Sequence, residues 1–132
     1  MAMPDSLVGI RFLMDGYFDH HLHTHAAIRF LMQLPRALHM QRINFPYVHE
    51  TDMTLDGIVI IAESHIAIHQ LYIPDVLHYL WQGTVDISTC KPQSLDRKVI
   101  DSMALEILGF HKIQWREIPW HVESKVINEG MV

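Results

Sequence analysis

Apolar residues recur along this chain with two different periods, and the switches between them mark out its elements. Residues 7–14 (Leu-Val-Gly-Ile-Arg-Phe-Leu-Met) form a mostly apolar run that reads as a first strand, ended by Asp15-Gly16. Leu22, Ala26, Phe30 and Leu34 then recur every four residues, which predicts a helix from about His20 until Pro35 stops it. Residues 39–49 read as a second strand that Pro46 places at an edge or breaks. Ile58 to Ala62 is a continuous β-branched run, the pattern of a strand buried on both faces or deep in a core. His65-Ile66-Ala67-Ile68-His69 alternates as a strand with one apolar face.

Pro74 is placed to open a short helix through Trp81, and Thr84 to Thr89 reads as another strand. Ser94 is the expected N-cap of a helix whose stripe is Leu95, Val99, Met103 and Ile107, with Gly109 closing it. Phe110 to Ile118 reads as the last strand, and the tail after Trp120 as loosely held. Strands outnumber helices, and the two long helices separate groups of adjacent strands. That pattern predicts an α+β sandwich, in its simplest form one sheet with helices on one face.

Composition narrows the class without naming a function. A length of 132 residues fits a single domain with a modest core. Its 49% apolar and 19% charged residues are those of an ordinary globular chain. No apolar run is long enough to span a bilayer, and the N-terminus lacks a basic segment followed by an apolar one, so a cytoplasmic protein is expected, with no membrane partner. The net charge of -5 argues against nucleic acid as a partner and is compatible with a cationic substrate. A single cysteine, Cys90, excludes an internal disulfide and leaves one thiol for chemistry. The eight methionines read as core filler.

The chemistry concentrates at Ala62-Glu63-Ser64-His65-Ile66-Ala67-Ile68-His69. A serine after an acidic residue, between two strand-like runs and close to two histidines, can attack its own backbone. Attack of the Ser64 hydroxyl on the Glu63 carbonyl gives an ester, and β-elimination leaves a pyruvoyl group where Ser64 stood. The step needs a base and a strained or tightly held turn, and His65 and His69 are the nearby bases. Strict strand parity sets Ser64 and His69 on opposite faces, an objection that a bend at the cleavage site would remove. A pyruvoyl carbonyl can form a Schiff base with an amine and act as the electron sink for loss of carbon dioxide. The carbanion must be reprotonated, and Cys90, at the end of Val85-Asp86-Ile87-Ser88-Thr89-Cys90, is the only thiol that can do it.

The run from Ile60 to His69 resembles the processing motif of the bacterial and archaeal S-adenosylmethionine decarboxylases, and Val85 to Cys90 is similar to their second motif. The resemblance implies a two-layer α/β sandwich with a mainly antiparallel sheet, protomers associated as homodimers, and a place in spermidine synthesis. It implies that Ser64 becomes the pyruvoyl group, that Glu63 becomes a new C-terminus, that His69 assists processing, and that Cys90 donates the proton. The chain departs from the family around the nucleoside. Where the family continues Thr-Trp-Pro-Glu, this chain has Gln70-Leu71-Tyr72-Ile73. Glu50 stands at the family's adenine-stacking Phe unless a gap brings in Phe45 or Tyr47. Asp56 stands at a processing serine, with Thr54 the nearest hydroxyl.

Several readings stay open on these residues, and no substrate-binding residue is assigned. The same chemistry fits a smaller cationic amino acid such as ornithine or arginine. Asp56 in place of the serine could instead leave an unprocessed pseudoenzyme that acts as a binding subunit. His65, His69 and Cys90 with Glu63 as base would suit a zinc hydrolase, and His20, His21, His23 and His25 invite a metal reading because His21 and His25 would share a helix face.

Overall fold

A computed structural model describes residues 9–74, 80–120 and 128–132. In chain order it contains β1 (Ile10–Phe18), α1 (Thr24–Ala37), β2 (Tyr47–Glu50), β3 (Thr54–Ile61), β4 (Ser64–Tyr72), β5 (Trp81–Thr89), α2 (Arg97–Leu108), β6 (Phe110–Pro119) and β7 (Asn128–Met131). The strands form one sheet in the order β2-β3-β4-β5-β1-β6-β7, every neighbouring pair antiparallel. Both helices pack on one face of it, so the architecture is an α+β sandwich.

Register sorts the side chains between the two faces, because successive residues of a strand point to opposite sides. Phe12 and Met14, Leu55 and Val59, Ile66 and Ile68, Val85 and Ile87 point to the helices and pack on Phe30, Leu31, Leu34, Ile100 and Ala104. Each such side chain contributes about 1.5–3 kcal/mol by leaving water. Arg11, Asp56, His65, Ala67, His69 and Asp86 fall on the other, helix-free face. The Ile58–Ala62 run belongs to a strand that starts earlier, at Thr54, and its burial alternates rather than being two-sided. Ile60 faces outward and is 40% exposed.

Helix α1 begins at Thr24 rather than His20 and passes through Pro35. Proline removes one backbone donor, but Pro35 lies in the final turn, where only one bond to the preceding turn is lost and its buried ring packs into the core. The stop is His39, held left-handed at φ 57°, with Met40 N–H donating to Pro35 O at 2.8 Å and His39 N–H to Arg36 O. This is a Schellman-type end with a non-glycine residue in the left-handed position. At the other end His23 supplies no side-chain cap. Glu50, from β2, takes that place by accepting the Thr24 N–H at 2.8 Å and its hydroxyl at 2.9 Å. These bonds from Thr24 hold the Glu50 carboxyl below its ordinary pKa. The cap of α2 is Asp96 rather than Ser94, accepting from Lys98 and Val99 N–H, and Gly109 ends that helix at φ 61°.

Other expected boundaries also move. Asp15-Gly16 does not end β1 but marks a bulge within it, where the partner in β6 skips from Gln114 to Lys112. A Cβ on Gly16 would sit 2.1 Å from His111 O, so glycine is required by the approach of β6. Of residues 39–49 only Tyr47 to His49 are in a strand, an edge strand entered from Pro46, and Arg42 makes a lone bridge to Ile61. Asn128–Met131 of the tail is an edge strand on β6. The expected helix from Pro74 to Trp81 lies mostly on residues outside those described, as do the beginning of the 7–14 strand and the tail residues 121–127; Trp81 itself starts β5.

Among the described glycines Gly83 leaves the least room for a side chain: a Cβ there would lie 1.7 Å from His69 O. Gly83→Ala is expected to cost about 3 kcal/mol, at the upper end of overpacking, read as a lower urea midpoint with an unchanged slope.

Candidate active site

Ala62 and Glu63 form the turn between β3 and β4, with Ile61 paired to Ser64 across it. Ser64 has a φ of 150°, a region that glycine tolerates and a side-chain-bearing residue occupies at about 1–3 kcal/mol of strain. The turn is held from three sides. Ala62 N–H donates to Gln41 O at 2.8 Å, and Cys90 N–H donates to Glu63 O at 3.0 Å. The buried Glu63 carboxylate lies 3.4 Å from Lys91 Nζ through Oε2, while Oε1 has no partner. Cys90 arrives there because its neighbour Thr89 is the residue paired with Ser64 in the next strand. Its thiol is free and exposed.

Ser64 Oγ lies 3.2 Å from His65 Nδ1, a contact in which either group can be donor, depending on the imidazole tautomer. Glu63, Ser64, His65 and Cys90 are thus brought together at one end of the sheet. His69 is not among them. It stands five residues along β4, on the opposite face from Ser64 by register, with Nδ1 2.8 Å from Asp56 Oδ1 of β3. No bend removes the parity objection, because β3, β4 and β5 stay in unbroken register from Ser64 to Tyr72.

The Asp56–His69 pair and the His65 ring line a pocket of about 310 Å³ on the helix-free face, together with Tyr47, Gly57, Ile58, Ala67 and Asp86. Asp86 is buried and held by Arg11, whose Nη2 and Nε donate to its carboxylate at 2.8 and 3.1 Å. That hydrogen bonding holds the Arg11 guanidinium above its ordinary pKa. Neither this pair nor the Cys90 amide on the Glu63 carbonyl is visible from local patterns. Counting outward from the Glu63 turn along β4 and β5 would have predicted the second contact only with the register already known.

The residues that depart from the resembled motif have other work here. Gln70 points to the helix side, is buried, and staples the segment before α1: its Oε1 accepts Leu22 N–H and its Nε2 donates to His20 O, both at 2.9 Å. Leu71 is on the helix-free face, half exposed, with no ring to stack. Tyr72 packs on Trp81. Glu50 is the cap of α1, and Thr54 bonds Thr51 within the β2–β3 turn. Of Phe45 and Tyr47, only Tyr47 lines the pocket.

Among the described residues no group of three or more His, Cys, Asp or Glu side chains is arranged to hold a metal ion. His20 and His21 precede α1, so His21 and His25 do not share a helix face, and the His21 ring stacks on Trp81 at 4.3 Å. His65 and His69 share the helix-free face, but Cys90 lies at the sheet end beside Glu63. No helix among the described residues is long and apolar enough to cross a membrane.

No protein-family profile and no curated sequence matches the chain. Among solved structures it is similar to the adenosylmethionine decarboxylase of Aquifex aeolicus, with a TM-score of 0.58 and 21% identity over 96% of this chain and 93% of that one. At that identity the two proteins share a fold.

Proposed function

We propose that this protein is a self-processing, pyruvoyl-dependent decarboxylase of the S-adenosylmethionine decarboxylase type, with Ser64 as the source of its carbonyl group. The observation that carries the reading is at the scissile bond, where Glu63 O already accepts a backbone N–H from Cys90 at 3.0 Å. When Ser64 Oγ adds to the Glu63 carbonyl carbon, negative charge develops on that oxygen. A fixed donor aimed at such a charge is worth about 10²–10³ in rate. His65 Nδ1, 3.2 Å from Oγ, is placed to take the hydroxyl proton and return it to the departing Ser64 nitrogen. An ester now joins the two residues. Loss of the Ser64 α-proton and of the Glu63 carboxylate cuts the chain, and water displaces ammonia to leave a pyruvoyl group at position 64. The strain at φ 150° favours the cut, since it is relieved once the bond is gone.

The residues around the turn fit that group. A pyruvoyl carbonyl supplies an electron sink for loss of carbon dioxide from an amino acid. Cys90, whose backbone N–H is on the Glu63 carbonyl and whose thiol is exposed, is the candidate to supply the proton that the product requires. Lys91, beside the Glu63 carboxylate, keeps the new C-terminus in place. His69 takes no part in cutting its own chain in this reading; a contribution from it would need a second copy packed on the helix-free face. The exposed apolar side chains Ile43, Phe45 and Ile60 support the homodimer that the resemblance implies. Polyamine synthesis in the cytoplasm is the setting that goes with it.

Topology supports a protein that survives its own cleavage. The fragment ending at Glu63 carries β1, β2 and β3, and β1 lies between β5 and β6 of the other fragment. Neither piece can leave without breaking the centre of the sheet. The test is reductive trapping: with an amine and cyanoborohydride, the 64–132 fragment should gain the amine's mass less one oxygen, which leaves as water, and the protein should lose activity together with it. An unlabelled fragment in an active protein would refute the reading. His65→Gln is expected to slow cleavage by about 10²-fold, at the low end for a lost general base, whereas His65→Gln cleaving at the normal rate would remove His65 from the mechanism.

A further inference from the structure

We infer that Lys91 closes on the carbonyl at position 64 as a protonated Schiff base, a resting state from which a substrate amine displaces it. The inference rests on the decarboxylase reading and adds a catalytic residue to the same site. It starts from a primary amine that the cleavage chemistry leaves unused. Thr89 is paired with Ser64 across β4 and β5, and its Oγ1 accepts the Lys91 N–H at 2.9 Å. Between them, Cys90 N–H is fixed on Glu63 O at 3.0 Å. These bonds hold the root of Lys91 beside the scissile bond. Its side chain is half exposed, and its Nζ lies 3.4 Å from Glu63 Oε2, so the amine is directed at residue 63.

Paired residues of neighbouring strands stand about 5 Å apart, and two steps along a strand add at most about 7 Å. Lys91 Cα is thus about 8 Å from the carbon that becomes the carbonyl, and a lysine stem with its new bond spans about 7–8 Å. The turn closed by Thr89 Oγ1 shortens the path further. The other described lysines of the same fragment are engaged elsewhere. Lys112 is 15% exposed and donates to Asp101 at 2.8 Å, and Lys98 stands in α2 at the Asp96 cap.

The step balances without a further reagent. A C–N bond forms at the former Ser64 Cα, the ketone oxygen leaves as water with two protons of the Lys91 ammonium, and the positive charge stays on nitrogen. That charge remains where the uncut chain places it, beside the Glu63 carboxylate, and cleavage adds an α-carboxylate on the same residue. Glu63 Oε1, buried and without a partner in the uncut chain, is an acceptor for the new N–H. A protonated imine is more electrophilic than a ketone, so an incoming amine adds to it and releases Lys91 by exchange. Lys91 returns to release the product.

Borohydride reduction of the wild-type protein without added amine, followed by denaturing mass spectrometry, tests this independently of turnover. Reduction is needed because an imine hydrolyses in acid. The reduced 64–132 fragment should be lighter by one oxygen than the unreduced one, and peptide mapping should join residue 64 to Lys91. Lys91→Arg, which keeps a cation beside Glu63, should give a fragment heavier by two hydrogens, the reduced ketone. A wild-type fragment heavier by two hydrogens, or a link from residue 64 to another lysine, would overturn the role of Lys91 and leave the decarboxylase reading standing. A wild-type chain that stays uncut would overturn both.

Discussion

Replacing Ser64 by alanine is expected to leave one uncut chain of 132 residues with no decarboxylase activity. The expectation is total rather than partial because the turn offers no second nucleophile: the residues flanking Ser64 are Glu63 and His65, and the nearest thiol, Cys90, addresses the scissile carbonyl through its backbone N–H. The fold should tolerate the change. Alanine at φ 150° bears the same backbone strain as serine, and the bonds from Gln41 and Cys90 to the turn are made by main-chain atoms that the substitution leaves alone. Glycine should separate strain from chemistry. Ser64→Gly also stays uncut, yet gains about 1 kcal/mol of stability, because the position is one that glycine occupies without penalty. Denaturing gels answer the first point and urea midpoints the second. Fragmentation of the alanine variant at the same bond would show that the Ser64 hydroxyl is not the nucleophile.

The second large effect separates two roles of one residue. Cys90→Ala keeps the backbone N–H that holds the Glu63 carbonyl, so cleavage should proceed at close to the normal rate. It removes the thiol, so the turnover of the cleaved protein should fall by about 10²–10⁴-fold, the usual contribution of a positioned proton donor. Cleavage lost together with turnover would mean that the thiol, rather than the amide, acts in processing. Cleavage intact with turnover intact would remove Cys90 from the reaction.

Much of this was legible from local patterning, and the exceptions share a cause. The glycine stop of α2 and the alternation of β4 follow from period and punctuation alone, whereas the stripe expected on α2 is one position off: Ile100, Ala104 and Leu108 are the buried face, and Val99, Met103 and Ile107 flank it partly buried. Asp15-Gly16 misleads because the same dipeptide serves a turn and a bulge, and only the approach of His111 O from β6 decides between them. Pro35 misleads because a proline in the last turn costs little where its ring is buried. The apolar run of β3 suggests two-sided burial, whereas Ile60 lies on the helix-free face. At the candidate site the proximity of Glu63, Ser64 and His65 was legible from their order in the chain. The pairing of Asp56 with His69, the amide of Cys90 on the Glu63 carbonyl, and the capture of Asp86 by Arg11 were not. Each joins residues brought together by register between strands, and Arg11 meets Asp86 only because the first strand is inserted between the fifth and the sixth. His69 is the instructive case: its spacing from Ser64 matches the resembled motif, but an odd number of strand steps sends the two to opposite faces.

The same insertion sets the conditions for the decisive experiment. Because the sheet interleaves the two halves, a cut protein and an uncut one would migrate alike under native conditions. The intact mass of the purified wild-type chain must therefore be taken in denaturing solvent. Two species are expected, residues 1–63 and residues 64–132, the second lighter by one ammonia than a fragment that begins with serine. A single full-length chain, or a second fragment that begins with an unmodified serine, would contradict the claim that Ser64 becomes the reactive carbonyl.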